Sequence, residues 1–145
     1  MTPAIASARS GMLASLARLN ASASNIANVR TTGPLPESPA AQPIADGPEG
    51  TPRVFQPVDV VLKSAGGQNG SGGVTATYRP RLPAYVRHHD PSAAFADAEG
   101  IVAAPNVDLA EEAVGILEAS LLFRANLAVL ETADAMTQSL LDTTA

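Results

Sequence analysis

The C-terminal stretch DLAEEAVGILEASLLFRANLAVLETADAMTQSLLD, residues 108–142, decides the fold of this 145-residue chain. It contains no proline, and its apolar residues recur in steps of three and four, the spacing of one face of an α-helix. Asp108 and Glu111 match an Asp-x-x-Glu capping box, and Pro105 lies just upstream of the expected helix start. The stretch therefore predicts one helix about 52 Å long.

The apolar positions of this helix cover more than one face. A stripe alternates in steps of three and four, a second set extends it toward the N-terminus, and a third set broadens it. In that order the sets are Leu122, Ala125, Val129, Ala133, Met136 and Leu140; Val114, Leu117 and Leu121; and Ile116, Phe123, Leu127 and Leu130. A stripe this broad indicates contacts on more than one side of the helix.

A second helix is predicted at the other end of the chain, over residues 4–28. Thr2 is a suitable N-cap, and Pro3 falls in the first turn, where proline is tolerated. Arg9 interrupts an otherwise apolar, coiled-coil-like stripe, whose members are Ile5, Met12, Leu16, Leu19, Ala23 and Ile26. An amphipathic helix packed within its own domain has the same spacing, so the spacing alone leaves intersubunit and intrachain packing open.

The segment between the helices, residues 31–107, has a different composition. Eleven of the twelve prolines lie here, which excludes a regular helix and predicts an extended or mobile loop over residues 33–52. Residues 53–62 and 74–86 are strand candidates, and the Gly-rich run 66–73 predicts a flexible connection between them.

The predicted fold class is therefore mainly α. Residues 1–30 and 108–145 form long terminal helices that pair in a coiled-coil-like bundle, and residues 31–107 form an irregular insert with a small β element. The N-terminal segment carries three arginines and no acid, whereas the C-terminal segment carries seven acids against Arg124. Opposite charges at the two ends favour their association.

Composition also limits the functions of the chain. It has no cysteine, which excludes disulfides and zinc–cysteine sites, and it lacks a basic face interleaved with aromatic residues, which disfavours nucleic-acid binding. No window approaches the roughly 20 apolar residues of a membrane span, and no cleaved signal peptide is predicted at the N-terminus.

Catalysis and cofactor binding are not expected. Adjacent His88 and His89 point to different faces of a strand and have no further His or Cys to complete a metal site. Asp97 and Glu99 are interpreted as solvated acids of a loop, or of a turn at Gly100, rather than as an acid–base pair. Neither a nucleophile elbow nor a phosphate-binding loop is present in the sequence.

Two motifs resemble bacterial flagellar axial proteins. The first is Ser24-Asn25-Ile26-Ala27-Asn28 followed by Thr31-Thr32-Gly33. The second runs from Asp97-Ala98-Glu99-Gly100 through Pro105-Asn106-Val107-Asp108 into the long helix, where Ala119-Ser120, Ala125-Asn126 and Val129–Ala133 continue the pattern. This second part is similar to proximal rod subunits of the FlgC type. The resemblance covers about residues 1–33 and 88–142 and is weak over 34–87.

The resemblance implies a structural subunit of the flagellar basal-body rod, with no enzymatic activity and no cofactor. It implies export through the flagellar type III apparatus without a cleaved signal, and assembly in the periplasm with copies of itself and with other rod and basal-body proteins. The expected interface residues are Ile5, Met12, Leu16, Leu19, Asn25, Ile26, Asn28, Leu117, Leu121, Leu122, Ala125, Val129, Ala133, Met136 and Leu140. Asn25 and Asn28 either simply end the helix or use their amides to bond neighbouring backbones and fix register, and Asn25, beside Ile26, is the better candidate for the second role. The alternative is a coiled-coil adaptor or secreted regulatory protein that uses the same helices on one partner.

Overall fold

The computed structural model has a long α-helix at each end of the chain and four short β-strands between them. It describes residues 3–45, 52–66 and 72–144. The helices are α1 (Pro3–Asn28) and α2 (Leu109–Thr144), and the strands are β1 (Val58–Ser64), β2 (Val74–Pro80), β3 (Tyr85–His89) and β4 (Ile101–Pro105). The prediction of two long terminal helices around a small β element is confirmed.

The chain forms two compact units, and each includes part of both helices. The helical unit consists of Met1–Asn20, Val60–Thr77 and Val114–Ala145, and the sheet unit consists of Ala21–Asp59 and Tyr78–Ala113. The predicted division of the chain into three consecutive segments, 1–30, 31–107 and 108–145, stays a prediction.

The start of α2 is capped as the sequence predicts. One carboxylate oxygen of Asp108 accepts hydrogen bonds from the backbone N–H groups of Ala110 (2.8 Å) and Glu111 (3.3 Å), which have no partner within the helix. The Glu111 carboxylate lies 3.7 Å from a guanidinium nitrogen of Arg81, so an ion pair replaces the reciprocal half of the capping box. The predicted N-cap of α1, Thr2, lies outside the described residues.

The strands form two separate two-stranded sheets, β1–β2 and β3–β4. β3 and β4 are antiparallel, with Tyr85 opposite Pro105 and His89 opposite Ile101. Gly33 extends this sheet, because it exchanges two backbone hydrogen bonds with Ala103, at 3.0 and 2.9 Å. The predicted strand 74–86 is in fact two strands, separated by Arg81–Ala84, and β4 was not predicted.

The proline-rich loop after α1 has no helix or strand over residues 34–45, as predicted, but it is tied to the sheet unit. The Ala84 N–H donates to the Ala40 carbonyl (2.7 Å), and the Tyr85 hydroxyl donates to the Ser38 carbonyl (3.1 Å). The predicted flexible connection between β1 and β2 lies mostly outside the described residues. Its ends are joined by a 2.9 Å hydrogen bond from the Ala65 N–H to the Gly73 carbonyl.

The buried residues are small. The apolar ones are Ala8, Ala14, Ala21, Val54, Ala84, Val102, Ala103 and Ala119. Every Leu, Ile, Met and Phe side chain that the structure describes is at least partly exposed. Because a buried Leu or Ile contributes about 1.5–3 kcal/mol and alanine far less, the interior of the isolated chain supplies little hydrophobic stabilisation.

The surface of α2 is strongly apolar. By length and composition, Leu109–Asp142 could cross a membrane, so the prediction that no window reaches this limit was wrong. Its most apolar part contains Glu118 and Arg124. Because these charges interrupt the longest apolar runs, a search for consecutive apolar residues missed the high mean hydropathy of the helix.

We predict that Gly33→Ala destabilises the sheet unit. A Cβ at this position would lie 2.3 Å from the backbone nitrogen of Val54, and Gly33 cannot move away without disturbing its two hydrogen bonds to Ala103. The expected loss is about 1–3 kcal/mol in the free energy of unfolding, measured by chemical denaturation with circular dichroism. Gly72→Ala is the control, since a Cβ there meets no atom within 4 Å. Equal stability of the two variants would contradict the prediction.

Candidate assembly surface

The inner face of α1 consists of small side chains. Ala8, Ser15 and Ser22 are seven residues apart and buried, and Ala14 and Ala21 flank them. The predicted apolar stripe of α1 borders this face, because most of its large members lie three residues before a buried small one. Its members Ile5, Met12, Leu19 and Ile26 are half-buried, and Leu16 is exposed. The larger apolar side chains of α1 are therefore partly covered by their own chain and keep part of their surface accessible.

Small residues allow α1 and α2 to approach closely within the helical unit. A Cβ placed on Gly11 would come within 2.5 Å of the side-chain oxygen of Asn126. The Asn126 amide nitrogen in turn donates to the Leu122 carbonyl at 2.8 Å, which fixes the side chain against its own helix. This one contact brings the helices together, but it does not test the predicted coiled-coil pairing along their length.

The predicted stripe of α2 is largely exposed. Leu117 and Leu121 are 70% and 69% exposed, and Met136 and Leu140 are 64% and 68% exposed. The remaining members are Leu122, Ala125 and Val129, which are exposed, and Ala133, which is half-buried. Large apolar side chains at helical spacing along so much of one helix indicate a surface that another molecule covers.

A polar network lies inside the sheet unit, where α1 ends and α2 begins. The Asn25 amide nitrogen donates to Glu112 Oε1 (2.8 Å) and to the Val58 carbonyl (3.0 Å), and its oxygen accepts from the Val58 N–H (3.1 Å). Asn25 is 0% and Glu112 is 3% exposed. One side chain thus connects α1, the first residue of β1 and the first turn of α2.

Arg81 supplies the positive charge of this network. Its guanidinium lies 2.9 Å from Glu112 Oε1 and 2.7 Å from Asp59 Oδ1. Partial burial by itself lowers the pKa of Arg81, but the hydrogen bond and charge of Asp59, together with Glu112 and Glu111, outweigh it and raise that pKa above its ordinary value. Arg81 therefore stays charged and compensates the buried Glu112 carboxylate.

Asn25 is a correction to the predicted interface. The sequence suggested that its amide bonds to neighbouring backbone and fixes register between subunits. The bonded backbone belongs to Val58 of the same chain, and the side chain has no exposed surface to offer a partner. Asn28, also predicted at the interface, is half-buried at the last residue of α1, and its amide donates to the Ser24 carbonyl at 2.9 Å.

Sequence reasoning missed the partners of Asn25. Glu112 carried a weak signal, since it lies seven residues before Ala119 on the inner face of α2. Arg81 and Asp59 carried none, because they are brought to Glu112 by long-range packing of a segment without regular spacing.

The histidine and carboxylate candidates lie apart from the apolar stripes and from the polar network around Asn25. His88 and His89 are exposed at the end of β3, and no cluster of three or more possible metal ligands occurs among the described residues. The Asp97 carboxylate accepts from the N–H groups of Glu99 (3.0 Å) and Ile101 (2.7 Å), and Gly100 has a φ of 72°. The predicted turn at Gly100 is thereby confirmed.

Comparison with known families gives the class of this protein. A family model described as "Flagella basal body rod protein" matches residues 5–34, and one described as "Flagellar basal body rod FlgEFG protein C-terminal" matches residues 98–143. These two segments contain β4 and nearly all of α1 and α2. The class is that of the flagellar basal-body rod proteins.

Individual relatives narrow the family further. Flagellar basal-body rod protein FlgC of Salmonella typhimurium and that of Escherichia coli O6:H1 are each 33% identical over 130 residues, which cover 89% of this chain and 87% of the relative. FlgC of Yersinia enterocolitica is 35% identical over 126 residues, covering 86% and 84%. The chain belongs to the FlgC family. The predicted resemblance is confirmed, and with it the role of a structural subunit of the flagellar basal-body rod.

We predict that Asn25→Ala lowers the free energy of unfolding by about 3 kcal/mol, because the Val58 backbone and the buried Glu112 carboxylate both lose a partner. Asn20→Ala is the matched control: it makes the same change at an exposed position of α1, and we expect a shift within about 0.5 kcal/mol. Chemical denaturation of both variants tests this. An Asn25→Ala variant as stable as the control would show that the network is not needed for folding.

Proposed function

We propose that this rod subunit completes its hydrophobic burial only on assembly, through the exposed apolar faces of its terminal helices. The observation that carries the proposal is the inverted distribution of side-chain size: the interior holds Ala, Ser and Val, while Leu and Met line the surface of α2. Each large side chain covered in the rod would contribute about 1.5–3 kcal/mol, so many shallow contacts add up to a stiff tube.

In this proposal the terminal helices of neighbouring subunits pack side by side in a coiled-coil-like bundle. Their partners are other copies of the chain and other rod and basal-body proteins. The steps of three and four along α2 suit such packing, in which each side chain inserts between residues of the facing helix. The candidate contacts are the surface members of the predicted set, without Asn25.

We place assembly in the periplasm, after export of the unfolded chain through the flagellar export apparatus without a cleaved signal. An interior built from alanine and valine supports this route, because such a chain is only marginally stable alone and is passed unfolded at little cost. The absence of cysteine is compatible with an oxidising compartment.

Protein, rather than lipid, covers α2 in this proposal. Glu118 and Arg124 lie within its most apolar part, and a charge at the centre of a bilayer costs about 2.5–3.5 kcal/mol. In a rod, the same two side chains can pair or reach solvent. A structural role of this kind involves no catalysis and no cofactor.

We predict that deletion of the gene removes rods, hooks and filaments and abolishes swimming, and that the intact gene restores them. Electron microscopy of basal bodies, together with a motility assay, measures both. Normal basal bodies and swimming, in cells without a second flagellar system, would overturn the proposal. A discrete complex with one partner, instead of copurification with basal bodies, would support the alternative of a coiled-coil adaptor.

We predict that Val129→Asp prevents rod assembly without unfolding the subunit. Val129 is exposed in the isolated chain, so its replacement leaves the fold intact, but a charge inside the assembled bundle would be desolvated without a partner. Leu19→Asp tests the stripe of α1, and because Leu19 is half-buried, circular dichroism of the purified variant checks that it still folds. The matched control is Gln138→Asp, on another face of α2, and His88→Ala is a second control; both are expected to swim. Swimming by the Val129→Asp and Leu19→Asp cells would show that the stripes are not interfaces.

A further inference from the structure

The predicted apolar stripe of α1 is interrupted by one charged side chain, Arg9, which forms no contact within the described residues that accounts for its position. Arg9 lies four residues after Ile5 and three before Met12, in the place where the stripe calls for an apolar side chain. It is exposed, on the side of the helix away from the buried Ala8, Ser15 and Ser22 face. It forms no ion pair with the part of the chain that the structure describes.

The predicted apolar stripe of α2 contains a charged side chain of the opposite sign, Glu118. Glu118 lies four residues after Val114 and four before Leu122, and all three are exposed. Glu118 is also seven residues before Ala125 and eleven before Val129, which places it in the middle of the stripe. Arg124, seven residues after Leu117, lies at the edge of the stripe, whereas Asp134 is on the opposite face of the helix. Glu118, too, has no ion pair within the described ranges 3–45, 52–66 and 72–144.

These two positions constrain any assembly that covers the stripes. Burial of a stripe removes water from the charged side chain within it, and an unpaired charge opposes that burial. An arginine opposite a carboxylate removes the difficulty and forms directional hydrogen bonds as well. The charge of each stripe is complementary to that of the other, so the surface that fits α1 of one copy is α2 of a second copy.

We propose that Arg9 of one subunit pairs with Glu118 of a second copy of this chain when the stripe of α1 packs on the stripe of α2. The pair fixes the register of the two helices. Apolar residues that repeat every seven positions allow a slip of one heptad, which would place Glu118 opposite Leu16 instead of Arg9. This inference rests on the proposed function and adds the partner and the alignment of its helices.

Charge reversal tests the pairing. We expect Arg9→Glu and Glu118→Arg each to reduce the number of complete rods at least about tenfold, because like charges meet or an unpaired charge is buried. The double variant Arg9→Glu/Glu118→Arg should restore assembly and swimming. Asp134→Arg makes the same change of charge as Glu118→Arg at an exposed position on the opposite face of α2 and should assemble normally.

Cross-linking tests the contact directly, since the native chain has no cysteine. Two differently tagged copies are expressed together, one with Arg9→Cys and the other with Glu118→Cys. Basal bodies are then treated with a short bis-maleimide, because an ion pair holds the backbones further apart than the about 4.4–6.8 Å that a disulfide spans. A product containing both tags is expected, and replacing Glu118→Cys by Glu131→Cys should abolish it.

The outcomes separate this inference from the proposed function. Single reversals that block assembly, with no rescue by the double variant and no cross-link, would overturn the Arg9–Glu118 pair while the stripes remain interfaces. Single reversals that assemble normally would overturn it as well. The proposed function itself fails only if Val129→Asp and Leu19→Asp cells swim or if deletion leaves basal bodies intact.

Discussion

The buried Glu112 carboxylate is the constraint on which the sheet unit depends. A carboxylate that is 3% exposed needs a cation and further hydrogen-bond donors, because its charge is stripped of water. Arg81 meets the first need and Asn25 the second, and Asp59 orients Arg81 from its other side. Packing of the start of α2 against the end of α1 is therefore specified by geometry that apolar contacts between alanines could not impose.

That specificity matters because the rest of the interior does not favour one arrangement of the helices over others. Ala8, Ala14 and Ala119 bury little area and tolerate many arrangements of the helices that carry them. Gly11 against Asn126 allows a close approach, yet it is a single contact. A domain that must stand alone normally buries its leucines. This chain exposes them, and the proposed packing on neighbouring subunits accounts for that exposure.

The sequence predicted what local pattern determines. The helices follow from spacing, the Asp108 cap from its position before an apolar run, and the turn at Gly100 from a glycine among acids. β4 was missed because five residues ending in Pro105 read as the approach to α2, and their pairing with β3 is decided elsewhere in the chain. Asn25 was assigned to the wrong partner for the same reason: its type and helical position indicated a buried amide that fixes register, but only the fold shows that Val58 and Glu112 receive it. The apolar stripe of α2 could be predicted from the sequence, because it depends only on residue spacing within one helix.

Polar residues thus fix the register of helices whose small or apolar faces supply the packing. This holds within the chain and in the proposed contact between chains. Within the chain, an Ala- and Ser-lined face of α1 has a repeat that permits sliding, and the one position of Asn25 that satisfies both Val58 and Glu112 removes the ambiguity. In the proposed contact between chains, the stripes of Leu, Ile, Met and Val repeat in the same way, so apolar packing alone would allow several registers of nearly equal energy. A tube that transmits torque needs one register at every contact, because mixed registers would leave gaps in the wall. A desolvated charge is effective for this purpose, since its free-energy penalty when mispaired exceeds what a few shifted methyl contacts recover.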